Sequence, residues 1–258
     1  MVLQIEDNGR VRTLRIDRPK ALNAMNNAVF AAIRDALHAA TQDAGVAVVV
    51  ITGSGRGFSA GQDLTEMLAS NEPSSGPYQF PSMLRALAEF PKPLIGAVNG
   101  IGVGIGMTIL GHCDLALMAQ GARLRTPFPQ LGVAPEAGSS YTFAARMGWQ
   151  QAAYVLMTGR WFNAQECLDM GLVWRVCTDE TLDAQTQAVA QEIAANPIPS
   201  LVETKRLMLA ANHTEAVLAA HEREAEAFGR LIGAAANREA VAAFLEKREP
   251  NFTRIAGL

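Results

Sequence analysis

The sequence predicts an α/β protein, a mainly parallel sheet covered by helices and followed by a helical C-terminal part. Three observations lead there. Apolar runs of strand length (46–52, rich in β-branched residues, 94–98 and 115–119) alternate with segments of helical period. That is the rhythm of βαβ units, whose strands are buried on both faces. The first two runs lead into turns of small residues, Phe58-Ser59-Ala60-Gly61-Gln62-Asp63 and Asn99-Gly100-Ile101-Gly102-Val103-Gly104-Ile105-Gly106. Beyond residue 182 only helical patterns remain.

Taken in order, residues 11–16 alternate apolar and polar as a half-exposed strand does. Residues 26–42 read as an amphipathic helix with Val29, Ile33, Ala36, Leu37 and Ala40 on one face. Residues 46–52 form a buried strand, and a helix over 64–68 follows the first small-residue turn. Residues 69–81 carry Asn, Ser, Gly and three prolines, the composition of a mobile loop. A short helix over 82–89 ends before Pro91 and Pro93. The strand at 94–98, the glycine turn, a helix over 107–111 and the strand at 115–119 come next. A last short strand is expected at 172–176, then helices over 182–195, 200–211, 216–231 and 238–247. Residues 1–195 therefore read as the core and 196–258 as a helical appendage.

At 258 residues and 49% hydrophobic the chain buries a large core. A net charge of −3, with no run of four basic residues, argues against nucleic acid as a partner. The three cysteines, Cys113, Cys167 and Cys177, have no C-x-x-C spacing, and the four histidines have no ligand spacing, so neither a disulfide framework nor a metal is expected. The first residues lack a basic segment followed by an apolar core, and the last three are not Ser-Lys-Leu, which suits a cytoplasmic protein. Residues 93–111 are uncharged, but Pro93, Asn99 and the alternating glycines suit a strand, turn and helix rather than a membrane span.

The two turns carry the chemistry. Each ends a buried strand and opens a helix, where unsatisfied N–H groups and the helix dipole favour an anionic oxygen. Two such donors aimed at one oxygen form an oxyanion hole, suited to acyl or enolate chemistry. The plainer alternative is that small residues merely solve a backbone problem. A dinucleotide site is disfavoured, because the glycines at 100, 102, 104 and 106 never give G-x-G-x-x-G, and no G-x-x-x-x-G-K-[ST] loop occurs.

With those turns, the blocks 57–64, Pro91-Lys92-Pro93-Leu94-Ile95-Gly96-Ala97-Val98-Asn99-Gly100, Cys113-Asp114-Leu115-Ala116, Leu131-Gly132-Val133-Ala134-Pro135-Glu136 and Gly171-Leu172-Val173 make the chain resemble the crotonase (enoyl-CoA hydratase/isomerase) superfamily. The resemblance runs from Leu22 to Arg248. It implies a spiral (superhelix) of ββα turns with a helical C-terminal trimerisation region, a homotrimer or dimer of trimers, and an acyl-CoA substrate. Coenzyme A then enters as part of the substrate, and no separate cofactor is implied. The resemblance carries the two backbone donors onto Ala60 and Ile105. It places Ser59, Gly61, Gln62, Asp63 and Leu64 along the coenzyme A moiety, with further contacts from Ala21, Leu22 and Ala24.

The carboxylates choose the branch. Where hydratases of this family hold two glutamates, this chain has Thr108 and Phe128. Phenylalanine transfers no proton and threonine is a poor base at its ordinary pKa, so hydration by a carboxylate pair is disfavoured. Glu136, in Pro135-Glu136-Ala137-Gly138-Ser139-Ser140-Tyr141, instead resembles the base of the peroxisomal-type Δ3,Δ2-enoyl-CoA isomerases. Phe128, Phe143 and Met107 are the expected pocket lining. The competing view makes Glu136 a loop carboxylate beside the start of a helix. Ring isomerases of phenylacetate breakdown and a non-catalytic acyl-CoA-binding protein are the other readings. Asp63 and Asp114 read as turn-holding carboxylates. Arg56, Lys247 and Arg248 read as solvated charges or phosphate contacts, and Trp149, Trp161 and Trp174 as core or subunit-contact residues.

Overall fold

The structure is a computed structural model that describes residues 1–63, 77–209 and 211–255. The helix expected at 64–68, Leu64 itself and most of the expected loop lie outside the described residues. The chain opens with an antiparallel hairpin of β1 (Leu3–Asn8) and β2 (Val11–Ile16). Helix α1 (Asn27–Gln42) follows, capped by the Asn26 side chain, which accepts the Val29 N–H at 3.1 Å. Its buried face holds the five expected residues and Phe30.

Three successive ββ units then build two sheets at once. In each, a longer strand joins the first sheet and a three-residue strand joins the second. The pairs are β3 (Val48–Gly53) with β4 (Gly57–Ser59), β5 (Leu94–Val98) with β6 (Ile101–Val103), and β7 (Leu115–Ala119) with β8 (Arg123–Arg125). Helix α2 (Phe80–Ala88) precedes β5, and the short α3 (Ile105–Thr108) with a 3-10 turn at Ile109–His112 precedes β7. After β8 come α4 (Ser139–Met147), α5 (Trp149–Thr158), β9 (Phe162–Asn163), α6 (Ala164–Asp169) and β10 (Arg175–Cys177).

The first sheet runs β1-β2-β3-β5-β7-β10, parallel beyond β2, and the second runs β4-β6-β8-β9. Helices α7 (Leu182–Ala194), α8 (Ile198–Met208), α9 (His213–Leu231) and α10 (Ala235–Glu246) complete the chain. Among the described residues no helix is long and apolar enough to cross a membrane.

Four local expectations need correction. Residues 11–16 are mostly buried, because β2 lies between β1 and β3 instead of at an edge. The glycine turn contains strand β6, and the last strand starts at Arg175 rather than at 172. Helix α2 begins at Phe80, with Pro81 in its first turn, where a missing N–H costs nothing.

Candidate active site

The two small-residue turns meet backbone to backbone. A Cβ at Gly61 (φ +96°) would stand 2.8 Å from the Val103 carbonyl oxygen, and one at Gly106 would stand 2.3 Å from the Ser59 carbonyl oxygen. Only glycine permits both approaches. Residues 22–25 run along the other side of the first turn. Met25 N–H donates to the Gly61 carbonyl at 2.7 Å, and Asp63 N–H donates to the Met25 carbonyl at 2.9 Å. Asn23, fully buried, donates its carboxamide to the Ser54 and Gly57 carbonyls at 2.8 and 2.7 Å.

This arrangement sorts the expected binding residues. Ala60 is a correction: its N–H donates to the Leu22 carbonyl at 2.8 Å and so is already engaged within the fold. Ser59 is another, being fully buried with its hydroxyl donating to the Asn23 carbonyl at 2.9 Å and accepting the Gly61 N–H at 3.2 Å. It holds the turn. Gln62 stands opposite Met25 in a parallel bridge made by the groups of Gly61 and Asp63. In an extended strand the backbone groups of alternate residues point to opposite sides, so the Gln62 N–H points away from Met25. It has no protein acceptor among the described residues. Asp63 pairs with Arg18 at 2.9 Å, in keeping with a turn-holding role. Ala21 is exposed, and Leu22 and Ala24 are half-buried at the rim.

Glu136 completes the cluster. A Cβ on Gly104 would lie 3.5 Å from the Glu136 Oε1, so the carboxyl sits against the turn that ends at Ile105. The residue is half-buried, with its carboxyl turned among protein atoms. Burial, first, and the neighbouring Glu224 carboxylate push its pKa up to about 7, against the smaller opposing effect of the Ile105 N–H. The next residue, Ala137, is fully buried at φ +62°. Alanine rarely adopts that conformation, so the surroundings must impose it. One such contact is visible: the His112 Nε2–H donates to the Ala137 carbonyl at 2.9 Å. Burial drives the pKa of His112 down to about 4, which keeps the ring neutral near pH 7.

The hydratase positions are apolar or inert. Thr108 is fully buried and its hydroxyl has no protein partner among the described residues; Phe128 is 5% exposed. Met107 and Phe143 are fully buried within the main core. Asp114 accepts the Leu94 N–H and the Lys205 ammonium at 2.7 and 2.8 Å, which is structural work. Arg248 pairs with Glu239 and Glu246 at the surface. Trp149 and Trp174 are 76% and 47% exposed, so neither belongs to the core. The Trp161 ring lies within cation–π distance of the Arg123 and Arg125 guanidinium groups.

Residues 6–254 match the enoyl-CoA hydratase/isomerase family model. A 1,2-epoxyphenylacetyl-CoA isomerase from Escherichia coli is 33% identical over 94% of this chain and 95% of its own length. An enoyl-CoA delta isomerase 2 from Rattus norvegicus is 32% identical over 85% of this chain and 57% of its own. Among solved structures, an enoyl-CoA hydratase/isomerase from Pseudoalteromonas atlantica superposes with a TM-score of 0.92 at 36% identity, covering 98% of this chain and 100% of that one. An enoyl-CoA hydratase from Mycobacterium marinum is 53% identical, with a TM-score of 0.77 over 81% of this chain and 99% of that one. The chain belongs to the enoyl-CoA hydratase/isomerase, or crotonase, superfamily and has its fold. It is an acyl-CoA enzyme of the hydratase/isomerase class; its relatives' names divide between the two activities.

Proposed function

We propose that the chain is a Δ3,Δ2-enoyl-CoA isomerase that moves a 3-enoyl-CoA double bond to the 2-trans position with Glu136 as its single base. The observation that carries this reading is the Glu136 carboxyl, set against Gly104 and Ile105 with a pKa of about 7, while Thr108 and Phe128 offer no second carboxylate. A base that must both take and return a proton works best near the operating pH.

The Glu136 carboxylate removes a C2 proton, and the electron pair spreads through the C3=C4 bond and onto the thioester oxygen. Glu136 then returns the proton at C4, and the double bond closes between C2 and C3. No net proton or water is consumed. Charge on the thioester oxygen is met by the Ile105 N–H and, in place of Ala60, by the Gln62 N–H. Coenzyme A lies along residues 60–63 and the rim at Ala21, Leu22 and Ala24, and Phe128 borders the acyl chain.

A second reading, isomerisation of a ring-derived acyl-CoA by the same carboxylate, is favoured by the 33% identity to the 1,2-epoxyphenylacetyl-CoA isomerase. We also take the assembly to be a trimer or a dimer of trimers in the cytoplasm, as the family resemblance implies.

The test assays 3-hexenoyl-CoA, crotonyl-CoA and 1,2-epoxyphenylacetyl-CoA side by side. Isomerisation of the first should far exceed hydration of the second. Hydration at an equal or greater rate overturns the reading, and turnover confined to the third substrate selects the ring isomerase. Glu136→Gln should lower turnover by ~10²-fold or more, within the range for loss of a general base, while binding of a saturated acyl-CoA stays close to wild type.

A further inference from the structure

The loop that carries Glu136 is held from outside the α/β core. Helix α9 buries Val217, Ala220 and Glu224 on one face. The Glu224 Oε2 accepts the Gly138 N–H at 2.6 Å and its Oε1 accepts the Ser140 N–H at 2.8 Å. Two turns earlier on α9, Val217 packs against Gly138: a Cβ there would stand 3.0 Å from the Val217 Cγ1. Glu224 itself is 5% exposed.

A buried carboxylate is expensive unless its oxygens are satisfied, and an apolar residue would close this helix contact at lower cost. The charge is placed on the first N–H groups of α4, directly after the strained Ala137. Resting on the proposed role of Glu136, we infer that Glu224 is a positioning residue: it grips the Gly138 and Ser140 N–H groups, and so fixes the loop that aims the Glu136 carboxyl at the substrate. His112 holds the same loop from the core side through the Ala137 carbonyl. The active site is thus assembled between the spiral and the C-terminal helices of one chain.

As a carboxylate Glu224 also opposes ionisation of Glu136; burial raises its own pKa, and the Ser140 and Gly138 N–H groups act against that rise. The other titratable groups around the loop are neutral His112, Arg223 on α9, Tyr141 and Arg146 on α4, and His213 against Tyr141. Removing the Glu224 charge therefore makes Glu136 easier to ionise. Since the base acts as a carboxylate, the acid limb of the rate profile must move to lower pH.

The experiment measures kcat and KM for 3-hexenoyl-CoA, from about pH 5.5 to 9, in wild type, Glu136→Gln, Glu224→Gln, Glu224→Met and the double variant Glu136→Gln/Glu224→Gln. Methionine keeps the volume and relieves the buried charge, so it preserves the helix contact where an amide would set donor against donor. Both Glu224 variants should lower kcat by ~10-fold or more, as small misplacements of reacting groups do. KM should stay within about threefold, and the acid limb should shift to lower pH. In the Glu136→Gln background, replacing Glu224 should cost little more. Wild-type kcat with an unmoved acid limb in both variants overturns the assignment. So does an equal further loss in the Glu136→Gln background, which would mark general damage. Glu136→Gln retaining more than half of wild-type turnover overturns the proposed base itself, and the Glu224 assignment with it, by a different signature.

Discussion

Glu136 is a residue whose ionisation works against folding. Its carboxyl titrates near 4.5 when unfolded and about 7 in the fold. Below pH 4.5 both states are neutral and there is no penalty. As pH rises towards 7 the unfolded chain ionises first, and the penalty is complete above 7. At about 1.4 kcal/mol per tenfold change in proton affinity, this amounts to roughly 3 kcal/mol. Glu136→Gln should therefore be more stable relative to wild type at pH 8 than at pH 4.5, by an amount of that order in chemical denaturation. An unchanged difference between the two pH values would mean that the carboxyl is well solvated. Such a trade of stability for a tuned group is expected at an active site. Glu136 stands out as the candidate base in its sequence block. The choice between the Ala60 and Gln62 donors was not legible there, because residue types do not reveal which N–H an adjacent segment engages. That depended on residues 22–25 passing beside the turn.

Elements show a sharper division. The strands of the first sheet were legible at Leu94–Val98 and Leu115–Ala119, because five consecutive apolar residues buried on both faces leave a strong pattern. Strands β4, β6 and β8 have three residues each, too few for a period to register. They exist because the parallel neighbours supply their hydrogen bonds. The first turn of α3 depends on Gly106, where a side chain would meet backbone 2.3 Å away rather than a flexible chain end. Gly106→Ala should destabilise the fold by about 1–3 kcal/mol, the usual penalty for overpacking. It should depress turnover further still, because the Ile105 N–H moves with it. Thermal unfolding and the isomerase assay on the same preparation check this, and an alanine variant matching wild type in both would remove the contact from the account.

At the scale of the molecule, large apolar side chains remain uncovered on the single chain. Trp149 and Met157 on α5 are 76% and 72% exposed, and Leu207 and Met208 at the end of α8 are 73% and 81% exposed. Exposed groups of this size suit contact between subunits. Sedimentation at micromolar concentration should give a trimer or hexamer, and a stable 27.5 kDa monomer would count against that assembly. Truncation after residue 211 should yield an insoluble product, since it removes α9, whose Val217 and Ala220 are fully buried.

By itself the sequence determined the alternation of buried strands and helices, the glycine turns and the single candidate carboxylate. These are properties of local composition: apolar run length, the absence of Cβ atoms, and which titratable side chains are present. Only the tertiary structure decided that the short strands make a second sheet, that the Ala60 N–H is taken by the Leu22 carbonyl, and that α9 grips the Glu136 loop. Each of these is a contact between segments far apart in the chain. Glu224 lies 86 residues from Gly138, and no local pattern encodes such a pairing. It arises when packing buries a carboxylate against the unsatisfied N–H groups at the start of a helix, so that each satisfies the other.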